Sequence, residues 1–259
     1  MNAISSSRSG DIAWIVLDRQ SRRNALRSAD LEQLAGTMRG LSVDRSVRVV
    51  CITGAGGHFS GGADIEELQR LSSASSARAN ATLGQAACDA IEQSPVPVIA
   101  AIEGYCVGGG LEIAMACDFR LADAQARFGQ VELGIGSIAA WGGIRRLPRL
   151  VGVPWAKRMV YTAQHLDANQ ALAVGLVDEV VQGTTVQAAA EALAAELARS
   201  PREAVAASKR ALDQSVDVPL YAGLQQDRET FAALVAGQEF QEGVAAFLSR
   251  SSHRRQAVG

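Results

Sequence analysis

The segment Pro95–Gly136 reads PVPVIAAIEGYCVGGGLEIAMACDFRLADAQARFGQVELGIG and carries the clearest structural signals in the chain. Its prolines, Pro95 and Pro97, end any preceding helix, and the run Val98–Ile102 that follows is apolar at every position. A strand that is apolar on both faces is typical of a parallel sheet covered by helices. The segment therefore predicts a buried strand in a layered α/β protein.

The sequence upstream of this segment alternates between strand and helix patterns. Ile12–Leu17 and Val47–Thr53 are short β-rich apolar runs, which we interpret as buried strands. Between them, Ser28 is placed to cap a helix whose apolar side chains recur three and four residues apart. Residues 76–93 repeat the helical pattern. This β-α-β order supports the α/β assignment.

The C-terminal part of the chain has a different pattern. Strand patterns are absent after Gly183, and helical spacing is found in residues 184–199, 201–214, 219–236 and 239–249. No Gly/Ser or Pro linker separates these helices from the rest. We predict an α/β core over residues 1–198 and a helical region over 199–259, packed on the core or on another subunit.

Composition excludes several classes of protein. The 259 residues are 48% hydrophobic and 20% charged, which excludes a disordered chain and leaves enough apolar surface for a large core. The net charge of -2 favours neither nucleic acid nor an anionic membrane surface as a partner. No apolar run approaches the length of a membrane span. We expect a soluble protein with no nucleic acid and no membrane as partner.

Cysteine and histidine usage predicts a reducing compartment and no metal site. The four cysteines form no CxxC pair, and the three histidines are too far apart in sequence for a zinc motif. We therefore expect a cytoplasmic protein without a bound metal ion.

Two glycine clusters follow apolar strands, GAGGHFSGGAD at Gly54–Asp64 and GYCVGGGLE at Gly104–Glu112. A glycine-rich turn that leads into a helix presents free backbone N–H groups, which suit an anion or a developing oxyanion. The alternative is that the glycines only form tight turns. Neither cluster fits the GxGxxG dinucleotide pattern, and HFSGG lacks the first glycine of GxSxG.

Two carboxylates lie among apolar neighbours, Glu112 in GGGLEIAMAC and Glu132 in FGQVELGIG. Charged residues are seldom buried without a partner or a function, so both are candidates for acid-base catalysis. Each could equally be a solvent-facing or salt-bridged glutamate. Spacing alone does not show that the two side chains meet.

The segment Pro95–Gly136, together with GGIRRLPRLVG that follows it, resembles the enoyl-CoA hydratase/isomerase (crotonase) superfamily. Upstream, FSGGADI and RRNAL resemble two further family elements, and PREAVAASKRAL and EFQEGVAAFLSR follow the family pattern near the C-terminus. The resemblance covers nearly the whole chain. It implies a crotonase-like spiral of β-β-α units with a helical C-terminal region that mediates oligomerisation, as a homotrimer or a dimer of trimers.

The resemblance also implies a site for an acyl-CoA thioester. The backbone N–H groups of Gly61 and Gly109 match the family's oxyanion hole. Glu112 and Glu132 match the two glutamates of family hydratases, whereas isomerases generally keep only the second. By this comparison Glu112 activates water and Glu132 transfers the α-carbon proton. No separate cofactor is implied, because coenzyme A is part of the substrate.

Further substrate contacts are implied by the same comparison. Ala63, Asp64 and Ile65 match the segment that contacts the CoA adenine, and Arg23 lies beside the turn that lines the CoA channel. Arg250 and Arg254 match a region that reaches CoA phosphate, or alternatively form a solvated basic tail.

The sequence departs from the family pattern around the acyl pocket. Val131 replaces a usual proline, and Ala139 and Ala140 replace a Pro-Gly pair ahead of Trp141. If the backbone at Ala140 needs a positive φ, alanine would shift the loop. Trp141 either reshapes the acyl pocket or simply packs in the core.

The resemblance implies an enoyl-CoA hydratase of fatty acid metabolism, which adds water reversibly to a 2-enoyl-CoA to give a 3-hydroxyacyl-CoA. The alternatives are an acyl-CoA double-bond isomerase or hydrolase on the same scaffold and a non-catalytic acyl-CoA-binding protein. Retention of both glutamates favours the hydratase.

Overall fold

The computed structural model describes residues 3–256, with side chains as far as residue 249. The chain divides into two compact units, Met1–Leu197 and Ala198–Gly259. Strands and helices alternate through the first unit. Its strands are β1 (Ile4–Ser9), β2 (Ile12–Leu17), β3 (Val49–Gly54), β4 (Val98–Ile102), β5 (Tyr105–Val107), β6 (Phe119–Asp123), β7 (Arg127–Gly129), β8 (His165–Asp167) and β9 (Glu179–Val181).

The helices of this unit connect the strands and cover the sheet. They are α1 (Ser28–Val43), α2 (Ile65–Leu68), α3 (Ala74–Glu92), α4 (Gly109–Ala116), α5 (Gly143–Thr162), α6 (Ala168–Ala173) and α7 (Val186–Leu197). Helix α5 is kinked at Gly152, where φ is +74°.

The main sheet has six strands in the order β1-β2-β3-β4-β6-β9. Strand β1 pairs antiparallel with β2, and every other neighbouring pair is parallel. A small second sheet has the order β5-β7-β8. The expected α/β class is therefore confirmed, and the predicted bounds of β2 and β4 agree with the structure.

The centre of the main sheet is buried on both faces. Val50 and Ile52 of β3 join the core with Leu31 and Leu34 of α1. Because side chains alternate along a strand, Cys51 points to the opposite face, and it too is fully buried. Helix α7 packs against β3 and β4. Helices on both faces explain why these strands are apolar at every position.

Several local features differ from the sequence prediction. Strand β3 begins two residues later and ends one residue later than predicted. Helix α1 begins at Ser28, so its N-cap is Arg27, and Asp30 accepts a hydrogen bond from the Arg27 N–H at 2.9 Å. Strand β1 was not predicted because its sequence, ISSSRS, is mostly polar. It forms as the edge of the sheet, where one side of the strand needs no apolar partner.

The second unit consists of α8 (Arg202–Gln214), α9 (Leu220–Val235) and α10 (Gln238–Gln256). It begins one residue before the predicted boundary between 198 and 199. All three helices carry exposed apolar side chains, among them Leu212, Leu220, Phe231 and Phe247. The side chains of Arg250 and Arg254 lie outside those that the structure describes.

The four cysteines, Cys51, Cys88, Cys106 and Cys117, form no disulfide and are buried. Burial raises the pKa of the Cys51 thiol to about 12 and raises those of Cys88 and Cys106 as well. Among the described side chains, which end at residue 249, no cluster of His, Cys, Asp or Glu has the geometry of a metal site. Within residues 3–256, no helix is both long and apolar enough to cross a bilayer.

Candidate active site

The two glycine clusters lie side by side at the mouth of one cavity. The Ser60 N–H donates to the carbonyl of Tyr105 at 3.0 Å, and the Val107 N–H donates to the carbonyl of Ser60 at 3.1 Å. Gly62 has a φ of +91°, and a β-carbon there would lie 2.8 Å from the Val107 oxygen. Only glycine permits this approach of the two segments.

The cavity has a volume of about 130 Å³, small beside the roughly 300–1,000 Å³ of pockets that enclose drug-sized ligands. Its lining brings together eight of the ten residues predicted for the site: Gly61, Ala63, Ile65, Gly109, Glu112, Glu132, Ala140 and Trp141. The other two, Arg23 and Asp64, do not line it.

Gly109 presents a backbone donor to this cavity. It is the first residue of α4, and its N-cap, Gly108, has a φ of +55° and provides no side-chain acceptor. The first N–H groups of a helix have no intrahelical partner, and they lie at the positive end of the helix dipole. Among the described residues, no acceptor bonds the Gly109 N–H. This group can therefore bind a developing oxyanion.

The second predicted donor, Gly61, requires a correction. Its N–H donates to the carbonyl of Arg23 at 2.7 Å, so it is not available to a substrate. The free donor in this segment is Ala63. The Leu26 N–H donates to the Gly62 carbonyl, and the Leu26 carbonyl accepts from the Asp64 N–H. In this parallel bridge the Ala63 N–H points away from Leu26. No backbone group or side chain that the structure describes accepts a hydrogen bond from the Ala63 N–H.

Glu112 is almost completely enclosed, with an exposed fraction of 2%. It lies in the first turn of α4, and its Oε1 accepts a hydrogen bond from the Gly143 N–H at 2.7 Å. Burial raises the pKa of Glu112 to about 7, with a further contribution from the nearby Glu132, against the opposing effect of the Gly143 N–H. Near neutral pH this carboxyl can therefore either accept or donate a proton.

Glu132 begins a 3-10 turn, Glu132–Ile135, that follows β7. The side-chain amide of Gln130 donates to both oxygens of Glu132, at 2.9 and 3.1 Å. Burial raises the pKa of Glu132 despite these hydrogen bonds. A β-carbon on Gly108 would lie 3.2 Å from Glu132 Oε1, so the carboxylate packs closely against the start of α4.

The two glutamates therefore meet on one cavity, which sequence spacing could not establish. Burial raises the pKa values of both carboxyls, and the charge of Glu132 raises that of Glu112 further, so the site retains a proton more readily than two exposed carboxyls would. One carboxylate can then act as a base while its neighbour acts as an acid.

Trp141 forms one wall of the cavity and is 4% exposed. Its ring fills the space beside two glycines, since a β-carbon on Gly84 or on Gly109 would each lie 2.1 Å from the nearest indole atom. The ring therefore packs in the core and also lines the cavity. Its effect on an acyl chain stays a prediction.

Hydrogen bonds and an ion pair hold the loop that carries Trp141 against α3. Gln85 donates to the carbonyl of Ala140 at 2.8 Å, and Arg146 donates to the carbonyl of Trp141 at 3.1 Å. Arg146 also forms an ion pair with Asp89 at 3.1 Å. Only Arg23, Asn24 and Ala163 among the described non-glycine residues have a positive φ, so alanine at 140 does not strain the loop.

The residues predicted to contact CoA have varied environments. Asp64 caps α2 and pairs with Arg19 at 2.6 Å. Burial alone would raise the pKa of Asp64, but the Glu67 N–H and Arg19 outweigh that effect and lower it. Ile65 lines the cavity and is exposed. The guanidinium of Arg23 lies 4.9 Å from the centre of the Tyr105 ring.

Three contributors to the site were missed in the sequence. These are the Ala63 N–H as a donor, Gln130 as the partner of Glu132, and Gly143 as the partner of Glu112. The signal for Gln130 was its place between β7 and Glu132, since a polar side chain that close to a candidate acid is a natural hydrogen-bond partner. Nothing in the sequence pointed to Gly143.

Comparison with known proteins gives a consistent result. The family model described as enoyl-CoA hydratase/isomerase matches residues 7–255. The crotonyl-CoA hydratase of Syntrophomonas wolfei is 37% identical over 92% of both chains, and the short-chain-enoyl-CoA hydratase of Clostridium acetobutylicum is 34% identical over 96% of both. The crystal structure of an enoyl-CoA hydratase from Bacillus anthracis superposes with a TM-score of 0.91 at 34% identity, over 96% of each chain. The resemblance predicted from the sequence is confirmed, and this chain belongs to the enoyl-CoA hydratase/isomerase family.

Proposed function

We propose that this protein is an enoyl-CoA hydratase, a carbon-oxygen lyase that adds water reversibly to a 2-enoyl-CoA and forms a 3-hydroxyacyl-CoA. The observation that carries the proposal is the meeting of Glu112 and Glu132, both with raised pKa values, on a cavity that also receives two free backbone N–H groups. The names of the two relatives described above support the same reaction.

In this mechanism the thioester oxygen accepts hydrogen bonds from the N–H groups of Ala63 and Gly109. These donors stabilise the negative charge that develops on the oxygen when water attacks the β-carbon, and each typically contributes about 3 kcal/mol to the transition state. Asp64, Ile65 and Arg23 are proposed to contact the CoA part of the substrate.

The two glutamates divide the proton transfers. Glu112 accepts a proton from the water whose oxygen bonds to the β-carbon, and Glu132 donates a proton to the α-carbon as the enolate collapses. The sum is addition of one water molecule across the double bond. The starting state is restored when a proton passes from Glu112 to Glu132. No separate cofactor takes part in this scheme, because coenzyme A enters as part of the substrate.

The decisive experiment incubates the purified protein with a panel of 2-enoyl-CoA thioesters and follows loss of the conjugated thioester absorbance. A 3-hydroxyacyl-CoA product supports the hydratase. A 3-enoyl-CoA product would instead identify an isomerase, and release of free CoA thiol would identify a hydrolase. Binding of acyl-CoA without turnover would overturn the enzymatic proposal.

We also propose that the protein is a cytoplasmic homotrimer or dimer of trimers. Leu212, Leu220 and Phe231 are all more than half exposed on the helices of the second unit. Apolar surface of this kind usually marks an interface between subunits. Light scattering at micromolar concentration is expected to give a trimer or hexamer mass, and a monomer mass would contradict the assembly.

A further inference from the structure

Asn80 is a buried polar residue that the proposed mechanism does not use. It lies on α3, one helical turn before the Gly84 that packs against Trp141, and its exposed fraction is 8%. The residue lines the same cavity as the two glutamates. Its side-chain Nδ2 donates a hydrogen bond to the hydroxyl of Ser28 at 3.1 Å.

This single hydrogen bond leaves most of the amide unsatisfied. A side-chain amide has two N–H donors and an oxygen that can accept two hydrogen bonds. Among the groups that the structure describes, with side chains as far as residue 249, none bonds the Asn80 Oδ1, and that oxygen is not sealed from solvent. If the amide is turned over, a free N–H takes the place of the oxygen. In either orientation, Asn80 offers a hydrogen bond to whatever occupies the cavity.

The other residues that line the cavity limit which chemical groups can bind beside Asn80. Ile65, Leu68 and Ile138 supply apolar surface in the same cavity, and Ser137 adds a hydroxyl. The lining contains no lysine, arginine or histidine, and its only ionisable side chains are the two glutamates. A carboxylate would therefore be repelled and left without a counter-ion. A neutral group that can both donate and accept a hydrogen bond is compatible with this lining.

We propose that the acyl pocket selects a short acyl-CoA chain that ends in a hydroxyl group, which exchanges a hydrogen bond with the side-chain amide of Asn80. The proposal rests on the proposed function, since it assigns the acyl chain to this cavity. A pocket built to pair with a substrate hydroxyl discriminates against the analogue that lacks it, because the buried amide then stays unpaired.

The test measures binding rather than turnover, so that it does not depend on catalysis. Saturated acyl-CoA thioesters with four to six acyl carbons are compared in methyl-terminated, hydroxyl-terminated and carboxylate-terminated forms by isothermal titration calorimetry. We expect at least one hydroxyl-terminated form to bind about tenfold more tightly than its methyl-terminated counterpart, the value of one good hydrogen bond.

Two variants separate recognition from a structural role. Asn80→Leu keeps the side-chain size but removes both polar atoms, and it is expected to reverse the preference in favour of the methyl terminus. Ser28→Ala is the matched control, because it removes the partner that holds Asn80 without changing the lining of the cavity. This control is expected to retain the hydroxyl preference.

Three results would overturn the inference. The first is equal or weaker binding of every hydroxyl-terminated form by the native protein. The second is a preference for the carboxylate terminus. The third is an equal loss of affinity for both termini in Asn80→Leu, which would show a structural role only. Hydration of 2-butenoyl-CoA, measured in parallel, tests the proposed function separately from all three.

Discussion

The N–H of Gly143, the first residue of α5, donates a hydrogen bond to Oε1 of Glu112 in α4 at 2.7 Å. This contact satisfies one of the donors that a helix start leaves without an intrahelical partner. It also fixes one carboxylate oxygen of Glu112. The start of α5 therefore orients a side chain that the sequence places far upstream of it.

The first prediction concerns the glutamate pair. Glu112→Gln and Glu132→Gln keep the side-chain size but can neither accept nor donate a carboxyl proton, so each is expected to reduce the kcat for hydration by about 100- to 10,000-fold. The double variant should lose less than the product of the two, because the residues act as a unit. Steady-state kinetics on a 2-enoyl-CoA provide the measurement.

Acyl-CoA affinity is the control for this experiment and should change little. An isomerase would require only Glu132 for its proton transfers. Near wild-type hydration by Glu112→Gln would therefore contradict the role assigned to Glu112.

The second prediction concerns stability and pH. The pKa of Glu112 is about 7 in the folded protein, above its usual value of 4.5, so the native state holds the proton more tightly than the unfolded chain. The resulting stabilisation is complete below about pH 4.5 and is lost as pH rises through about 7. Glu112→Gln has no such loss, so its free energy of unfolding relative to wild type should increase from about pH 5 to 8, by up to roughly 3 kcal/mol.

Urea unfolding across this pH range measures the difference. Asp64→Asn is the control of opposite sign, because the pKa of Asp64 is lowered in the folded protein and its stabilisation is lost only as pH falls. A flat difference for Glu112→Gln would show that Glu112 does not have a raised pKa.

The third prediction separates the two candidate donors in the first glycine cluster. Proline at position 63 removes a free N–H and should reduce kcat by about 100- to 1,000-fold with little change in the thermal transition. Proline at position 61 removes the N–H that bonds the Arg23 carbonyl, so it should lower the transition temperature. If Ala63→Pro remained fully active, the Ala63 N–H would not be the oxyanion donor.

The fourth prediction concerns the contact between Gly109 and Trp141. Gly109→Ala keeps the N–H but places a β-carbon 2.1 Å from the indole, which should destabilise the fold by about 1–3 kcal/mol. In a Trp141→Ala background the same methyl group has room, so a double-mutant cycle by urea unfolding should show strong coupling. If the two changes in unfolding free energy were strictly additive, the Trp141 ring would not pack against Gly109.

The fifth prediction uses Trp141 as the wall of the acyl pocket. Trp141→Ala leaves a void that is continuous with the cavity, so the chain-length preference should shift toward longer 2-enoyl-CoA substrates. The measurement is kcat/KM over a series of chain lengths, with Tyr161→Ala as a control that removes an exposed aromatic ring outside the cavity. An unchanged preference would place the end of the acyl chain elsewhere.

The sequence was informative wherever a residue's environment depends on its near neighbours. The bounds of β2 and β4 follow from apolar runs that any covered strand requires. Glu112 could be placed in a buried helix because its flanking residues are apolar. The family motifs then implied a crotonase-like spiral of β-β-α units, which no local pattern specifies.

The sequence was uninformative where the environment depends on distant partners. The Arg23 carbonyl occupies the Gly61 N–H, whereas Leu26 bonds to Gly62 and Asp64 and leaves the Ala63 N–H free, so both outcomes depend on another segment. The position of Trp141 depends on Gly84, a helical glycine whose meaning appears only when α3 packs against the loop. Strand β1 is polar and forms because it pairs with β2 at the edge of the sheet.

The four buried thiols make this protein convenient for chemical labelling. Alkylating reagents react with thiolates, and burial leaves all four native thiols inaccessible. Burial also raises the pKa values of Cys51, Cys88 and Cys106, which keeps these thiols protonated. A single cysteine introduced at the exposed Ile138, on the rim of the acyl pocket, would therefore be the only fast-reacting thiol among the residues described. A fluorophore attached there would report occupancy of the pocket directly, without removal of any native cysteine.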